Sequence, residues 1–288
     1  MQTLIDLIDK KLDEYMPITY PEDIFKAMKY TVTLPGKRLR PVMCLETVKM
    51  LGGDINKAFP TACAIEMLHA QSLIHDDLPC MDNDDFRRGK PSNHKVFGEA
   101  NAVLAGDALL TFAPQLIIEK TELPSEIKLK LVHEFTKWGG AYALIAGQVV
   151  DIESEGGKLV KSHEETLKFI HLNKTGALFR LAMRTGAIIA DADDRTLNEI
   201  DDFAIKFGLA FQIYDDIMDE ISSFEELGKT TGKDKQSGKL TYVSLYGIKE
   251  AKNKFDSLIH DCYAIISKYD SEIIVNIIEK LKNRLSGV

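Results

Sequence analysis

Five aspartates crowd into ten residues of this chain: Asp76, Asp77, Asp82, Asp84 and Asp85. They follow the apolar run 62–74, so the first of them emerge where a buried helix ends and its macrodipole is negative. Carboxylates placed there repel the dipole and one another, and a cation must compensate. A hard divalent metal suits this all-oxygen set, because Mg²⁺ takes a few carboxylates and completes its octahedron with water and phosphate oxygens. A second group, Asp215, Asp216 and Asp219, follows the apolar stretch 203–211. Asp215 and Asp219 are four apart and share a helix face, an arrangement that is unfavourable unless a cation intervenes. Asp76 and Asp82 are six apart, about 240° round an ideal helix. They converge only if the backbone leaves the helix between them, and Pro79 supplies the reason. An EF-hand starting at Asp82 fails, since its sixth position is Arg87 where Gly is needed and its twelfth is Asn93 where Glu is needed.

Acidic walls and metal call for an anionic substrate, and the chain offers cations in non-periodic, glycine-flanked settings. Lys37 and Arg40 lie in the segment 36–41, GKRLRP, at a helix start where free N–H groups favour an anion. Arg87 and Arg88 follow the first acidic group, and a guanidinium fork matches phosphate oxygens. Lys174 and Thr175 interrupt a long apolar helix, while Lys229 and Lys239 flank the polar loop after the second acidic group. His69 stands seven residues before Asp76, near the same helix face; taken alone it reads as a satisfied core histidine.

Helical periodicity supplies the elements that position these groups. An amphipathic helix opens the chain, and the pattern predicts further helices over 21–32, 40–51, 56–74, 98–119, 125–151, 164–190, 194–221, 251–268 and 271–285, with no strand pattern. Residues 1–288 therefore read as a single all-α domain, a bundle of long helices around a central cavity. The composition, 45% hydrophobic and 28% charged, is that of a globular chain and excludes disorder. A formal net charge of −8 argues against a nucleic-acid partner. Cys44, Cys63, Cys80 and Cys262 show no CxxC or zinc spacing, which fits a reducing, cytoplasmic location. No run approaches 18 uncharged apolar residues, so no membrane span is expected.

In sequence, the chain resembles the (E)-polyprenyl diphosphate synthases of the short-chain bacterial and plastid type. The segments that carry the resemblance are GKRLRP (36–41), EMLHAQSLIHDDLPCMDNDDFRRGKPSNHKVFGEANAVLAGDALL (66–110), GQVVDI (147–152), KTGALFR (174–180), FQIYDDIMD (211–219) and GKTTGKDKQSGKLTYVSLYG (228–247). The resemblance implies the all-α isoprenoid synthase fold, a homodimer, and about three Mg²⁺, with Mn²⁺ as a substitute, between the two aspartate motifs and an allylic diphosphate. By that resemblance Asp76, Asp82 and Asp215 are direct metal ligands, and Asp77, Asp216 and Asp219 are supporting ones. Arg87, Lys174, Lys229 and Lys239 match positions that hold the allylic diphosphate; Lys37, Arg40, His69 and Arg88 match the isopentenyl diphosphate pocket. Thr175 and Gln212 match positions whose oxygens face the developing allylic cation. The implied reaction is head-to-tail condensation. The allylic C1–O bond breaks, the isopentenyl double bond attacks C1, and a proton then leaves to the released diphosphate.

Product length follows, in this family, from side chains one helical turn further in from Asp76, where about 5.4 Å of rise is close to one isoprene unit. The fifth position before Asp76 is Gln71, where bacterial farnesyl synthases place Tyr or Phe; Ser72 is small, and Leu68 and Phe112 form a deeper floor. This favours geranylgeranyl (C20) over farnesyl (C15) diphosphate, with a farnesyl synthase as the alternative. A class I terpene cyclase would share the aspartates but has no use for the second set of cations. A non-catalytic subunit would tend to lack one acidic motif, and this chain keeps both.

Overall fold

A computed structural model describes residues 1–157, 161–221 and 240–286. The chain gathers into two compact units, the first comprising Met1–Phe135 with Ile188–Ala190 and the second Thr136–Ala187 with Asp191–Val288.

The first unit contains α1 (Gln2–Tyr15), α2 (Glu22–Thr33), α3 (Leu39–Met50), a 3₁₀ turn (Ile55–Ala58), α4 (Phe59–Asp76), α5 (Asn93–Phe97) and α6 (Glu99–Lys120). Its centre is α4, where consecutive residues Ala62, Cys63, Ala64 and Ile65 are all fully buried. Burial on every face requires a helix with almost no charge, and Glu66 and His69 are the polar exceptions in its middle. Pro60 sits in the first turn, where the missing N–H costs nothing, and α6 and α3 pack along α4. Between α4 and α5 lies a two-stranded antiparallel hairpin, β1 (Phe86–Arg87) and β2 (Lys90–Pro91), which the helical periodicity does not reveal. α6 is long and apolar enough to cross a membrane, with a mean hydropathy of 1.4 over its most apolar 18 residues. It is nevertheless a packed element of this unit, lying against α4 and α2.

Between the units in sequence runs α7 (Ser125–Gly139). The second unit contains α8 (Leu144–Glu155), α9 (His163–Ile170), a π-helical turn (His171–Thr175), α10 (Gly176–Ile189), α11 (Asp194–Ile221), α12 (Tyr242–Ile266) and α13 (Glu272–Ser286). The single helix expected over 125–151 is two helices, because Gly139 and Gly140 break it before α8 begins. The helix expected over 164–190 carries the π-turn in its middle. Tyr242 starts α12 nine residues earlier than expected; the Thr241–Ser244 capping box initiates it, and Gly247, at φ +79°, kinks it. An aromatic cluster of Phe179, Phe203, Phe207, Phe211, Tyr214 and Phe255 ties α10, α11 and α12 together, with Phe203 and Phe207 stacked at 5.9 Å. Arg180 binds Asp201 through two hydrogen bonds of 2.8 and 2.6 Å and lies 3.9 Å over the Trp138 ring, fixing the face of α10.

Candidate active site

In the first unit α4 ends at Asp76, and the backbone then folds back on itself. The N–H groups of Met81 and Asn83 both donate to the Leu78 carbonyl, and the Asp82 N–H donates to the Asp76 carbonyl at 2.9 Å. Asn83 takes the left-handed conformation, φ +50°, that closes this loop. The departure from helix that Pro79 suggested is present, and it brings Asp82 beside Asp76 across six residues. Asp76 is half-buried and Asp82 exposed.

Asp77 is placed differently. Its side chain is 1% exposed and engages Arg87, whose Nε donates to its two oxygens at 2.9 and 3.2 Å and whose Nη2 donates to Oδ1. The same Nη2 reaches Asp84 at 3.3 Å. Burial raises the Asp77 carboxyl above its ordinary pKa, with Arg87 pulling the other way. Arg87 is held by its own acidic loop.

Arg88 and Gly89 form the two-residue turn of the β1–β2 hairpin, with φ +53° and +75°, a backbone that suits Gly but strains Arg. The strain is offset by what the turn does: it sends successive arginines in different directions. Arg88 donates to the Leu34 carbonyl at 3.3 Å and to Glu66 Oε1 at 3.4 Å. The guanidinium lies close over Gly36, where a Cβ would come within 2.7 Å of Arg88 Nη1 and the arginine tip would have to shift. Glu66, 2% exposed, also accepts from Arg38 Nη1 at 2.7 Å, while Arg38 donates through Nη2 to the Leu34 carbonyl and through Nε to Asp9. Arg38 is thus the buried anchor of the segment that presents Lys37, which is exposed, and Arg40, which is half-buried. Arg40 Nη1 lies 3.4 Å from His69 Nε2. Burial, then the charges of Arg40 and Arg88, push His69 well below its usual pKa, so the ring is neutral at pH 7. Because Arg40 can only donate, Nε2 is the bare nitrogen and the proton sits on Nδ1. Burial lowers Arg88 below the ordinary arginine value and Glu66 opposes that shift.

The chain-length positions lie along the α4–α6 seam. Leu68 is fully buried, Phe112 half-buried, and Ser72 Oγ donates to the His69 carbonyl at 2.9 Å. Gln71 is buried with its Nε2 3.1 Å from His75 Nδ1, and His75 Nε2 lies 3.2 Å from the Val103 carbonyl of α6. Room for the His75 ring exists because Gly106 has no side chain; a Cβ there would meet Nε2 at 2.0 Å.

In the second unit the π-turn carries Lys174 and Thr175, and two helices hold it by the same device. On α8, a Cβ at Gly147 would meet the Lys174 backbone N at 2.3 Å, and one turn later Asp151 Oδ2 accepts from Lys174 Nζ at 2.5 Å. On α11, a Cβ at Gly208 would come within 3.0 Å of Gly176 Cα, and one turn later Gln212 Oε1 accepts from Thr175 Oγ1. A further turn along, Asp216 Oδ1 accepts from Gln212 Nε2 at 2.9 Å and Oδ2 from the Tyr242 backbone N–H at 2.7 Å, with His171 Nε2 at 3.6 Å. Asp215 and Asp219 are half-buried on α11. Asp151 is 3% exposed, and its Oδ1 has no hydrogen-bond partner among the described residues. Lys229 and Lys239 lie outside the described residues.

The donor set fits Mg²⁺. It consists of carboxylate oxygens, and among the described residues no three Asp, Glu, His or Cys side chains form a ready-made cage. An ion that keeps its water and takes phosphate oxygens needs no such cage. Sequence reasoning missed Arg38, Glu66 and Asp151. Glu66 had a visible signal, as a lone carboxylate in the otherwise uncharged helix 59–68; Asp151, inside GQVVDI, had a weaker one.

The polyprenyl synthetase family model matches residues 21–281. A chloroplastic heterodimeric geranylgeranyl pyrophosphate synthase large subunit of Arabidopsis thaliana is 45% identical over 273 residues, covering 94% of this chain and 74% of that one. The farnesyl diphosphate synthase of Geobacillus stearothermophilus is 49% identical over 236 residues, covering 81% of this chain and 78% of that one. The crystal structure of a Helicobacter pylori geranyltransferase complexed with magnesium and isoprenyl diphosphate superposes with a TM-score of 0.84 at 32% identity, covering 99% of this chain and 95% of that one.

Proposed function

The chain belongs to the polyprenyl synthetase family, and on that premise we propose that it condenses isopentenyl diphosphate with dimethylallyl, geranyl and farnesyl diphosphates to make geranylgeranyl diphosphate. It is a short-chain prenyltransferase with the all-α isoprenoid synthase fold. The observation that carries the reading furthest is the Asp82–Asp76 backbone bond, which folds the chain so that two aspartates six apart in sequence leave the same loop at the end of a buried helix. Asp76, Asp82 and Asp215 would hold Mg²⁺, with Asp77 and Asp219 in support, while Asp216, whose two oxygens accept from Gln212 Nε2 and the Tyr242 N–H, would stand behind them. Bound Mg²⁺ would draw electron density from the leaving diphosphate and so weaken the allylic C–O bond.

The chain's own groups do the rest. Lys174, with Arg87, Lys229 and Lys239, binds the allylic diphosphate. Lys37, Arg40, Arg88 and the neutral His69 bind isopentenyl diphosphate, and His69 donates its Nδ1–H. This cationic set favours condensation over cyclisation, since a terpene cyclase binds a single diphosphate. As the allylic bond breaks, the oxygens of Thr175 and Gln212 stabilise positive charge at C1. C4 of isopentenyl diphosphate then attacks C1, and the proton lost from its C2 leaves with the released diphosphate. Gln71, held against His75 and non-aromatic, supports growth to C20 beyond the C15 stop.

We read residues 1–288 as one catalytic domain, because the family match runs through both units. The enzyme works as a homodimer in a reducing cytoplasm; four free cysteines, three of them buried, are in keeping with that compartment. Incubation with Mg²⁺, labelled isopentenyl diphosphate and each of the C5, C10 and C15 primers, followed by sizing of the dephosphorylated alcohols, tests the reading. A dominant C20 alcohol is expected; a product ending at C15 makes the enzyme a farnesyl synthase, and no product from any primer removes the activity.

A further inference from the structure

We infer that Asp216 is a positioning residue that sets the direction of a hydrogen-bond chain ending on the Thr175 hydroxyl. The inference deepens the proposed function and rests on it for the placement of Thr175 at the reacting carbon. An ionised carboxylate only accepts, so the end of the Gln212 amide that faces Asp216 Oδ1 at 2.9 Å must be the NH₂. The other end, Oε1, then faces Thr175 Oγ1 and can only accept, so the Thr175 hydroxyl must donate. With its hydrogen committed to Gln212, Thr175 Oγ1 keeps its lone pairs for the side away from α11. An oxygen fixed in that sense stabilises a developing cation, whereas a hydroxyl free to turn its hydrogen outward opposes one.

Asp216 is itself held for this work. Its second oxygen accepts from the Tyr242 backbone N–H at 2.7 Å, and His171, the first residue of the π-turn, faces the same oxygen at 3.6 Å. The backbone N–H cannot reverse its polarity, so it fixes which way any amide at position 216 would turn. In Asp216→Asn the side-chain oxygen stays on Tyr242 N–H and the NH₂ faces Gln212. Gln212 must then flip, presenting its own NH₂ to Thr175. Thr175 accepts instead of donating, and its hydrogen swings outward.

The test is a charge swap. Asp216→Asn should lower kcat on the order of tenfold to a hundredfold, the scale of losing one aligned dipole, while KM for both diphosphates and the Mg²⁺ activation constant stay close to wild type. Gln212→Glu alone should also be slow, because two carboxylates then face each other. In the double variant Gln212→Glu/Asp216→Asn, the new carboxylate accepts both from the amide at position 216 and from Thr175, which restores the original polarity at unchanged net charge. Its kcat should recover to within about fivefold of wild type, and its Tm should recover from those of the single variants. A double variant as slow as Asp216→Asn overturns the inference, and so does an Asp216→Asn enzyme rescued by high Mg²⁺, which would assign the carboxylate to the metal. Recovery of Tm without recovery of kcat would overturn the catalytic purpose of the chain. An inactive wild type instead removes the proposed function, and the Tm pattern still reads the polarity on its own.

Discussion

Adjacent aspartates in each acidic group have opposite surroundings, and that difference sorts chemistry from support. Asp76 is half-buried beside Asp82, whereas Asp77 is buried and saturated by Arg87. Removing the Asp77 carboxylate would take from a partly buried guanidinium its closest partner and leave it the longer Asp84 contact at 3.3 Å, at a cost of about 2 kcal/mol after allowance for the quarter of Arg87 that water reaches. Asp77→Ala should therefore shift the urea midpoint clearly downward, while Asp76→Asn should melt like wild type and lose turnover by orders of magnitude. An Asp76→Asn enzyme that turns over normally would take the metal away from this loop. His69 makes a second residue-level prediction. Its folded pKa lies well below the ordinary value near 6.5, so below that pH the unfolded chain binds more protons and stability falls with acidity. Between pH 7.5 and 5 the wild type should lose more stability than His69→Gln, as read by denaturant titration at both pH values; equal losses would mean that His69 does not resist protonation in the folded chain. The acidic clusters were legible from spacing alone. Their division of labour was not, because whether a carboxylate meets a guanidinium depends on how the β1–β2 hairpin turns, and nothing local in the run of charges encodes that.

The π-turn shows why some elements were readable and others not. Long apolar runs such as α4 and α11 announce themselves through periodicity. The turn at His171–Thr175 adds only a local widening to a continuous helical pattern and leaves the apolar spacing on either side intact, so 164–190 reads as one helix. Its seat is legible only in three dimensions, where Gly147 and Gly208 each stand one turn before the polar residue that grips the turn. Gly147→Ala drives a Cβ against the Lys174 backbone at 2.3 Å, and backbone cannot rotate away as a side-chain tip can. That substitution should cost about 2 kcal/mol and lower kcat by displacing Lys174 and Thr175 together. Gly156, at the end of the same α8, is the control. It has an ordinary φ of −76° and a Cβ there would sit at normal contact distance, 3.6 Å, so Gly156→Ala should leave both stability and kcat near wild type. Equal losses in the two variants would mean that α8 tolerates no methyl anywhere and that the close approach at Gly147 is not special.

A net charge of −8 makes two copies of this chain repel, so any homodimer must be driven by apolar surface. The surface that offers it lies on α6. The most apolar 18 residues of this helix have a mean hydropathy of 1.4, yet only 39% of that stretch is buried within the chain. What remains outside is a stripe at helical spacing, Leu104, Asp107, Thr111, Gln115 and Ile118, with Leu104 55% and Ile118 53% exposed, and with Val103 beside it. The exposed apolar side chains therefore sit at the two ends of this face, Val103 and Leu104 at one and Ile118 at the other, with Asp107, Thr111 and Gln115 between them, and a second copy would have to cover both ends. The balance rests on burial against repulsion, and two consequences separate this surface from others. Leu104→Glu/Ile118→Glu adds charge at both ends of the stripe and should give a monomer in sedimentation equilibrium with unchanged helical circular dichroism. For the wild type, raising sodium chloride from 20 to about 200 mM shortens the Debye length from roughly 20 Å to under 10 Å, which screens the repulsion and should tighten the dimer. A doubly substituted chain that still sediments as a dimer would move the interface off α6, and a dimer that loosens as salt rises would mean that ion pairs, not apolar burial, hold the copies together.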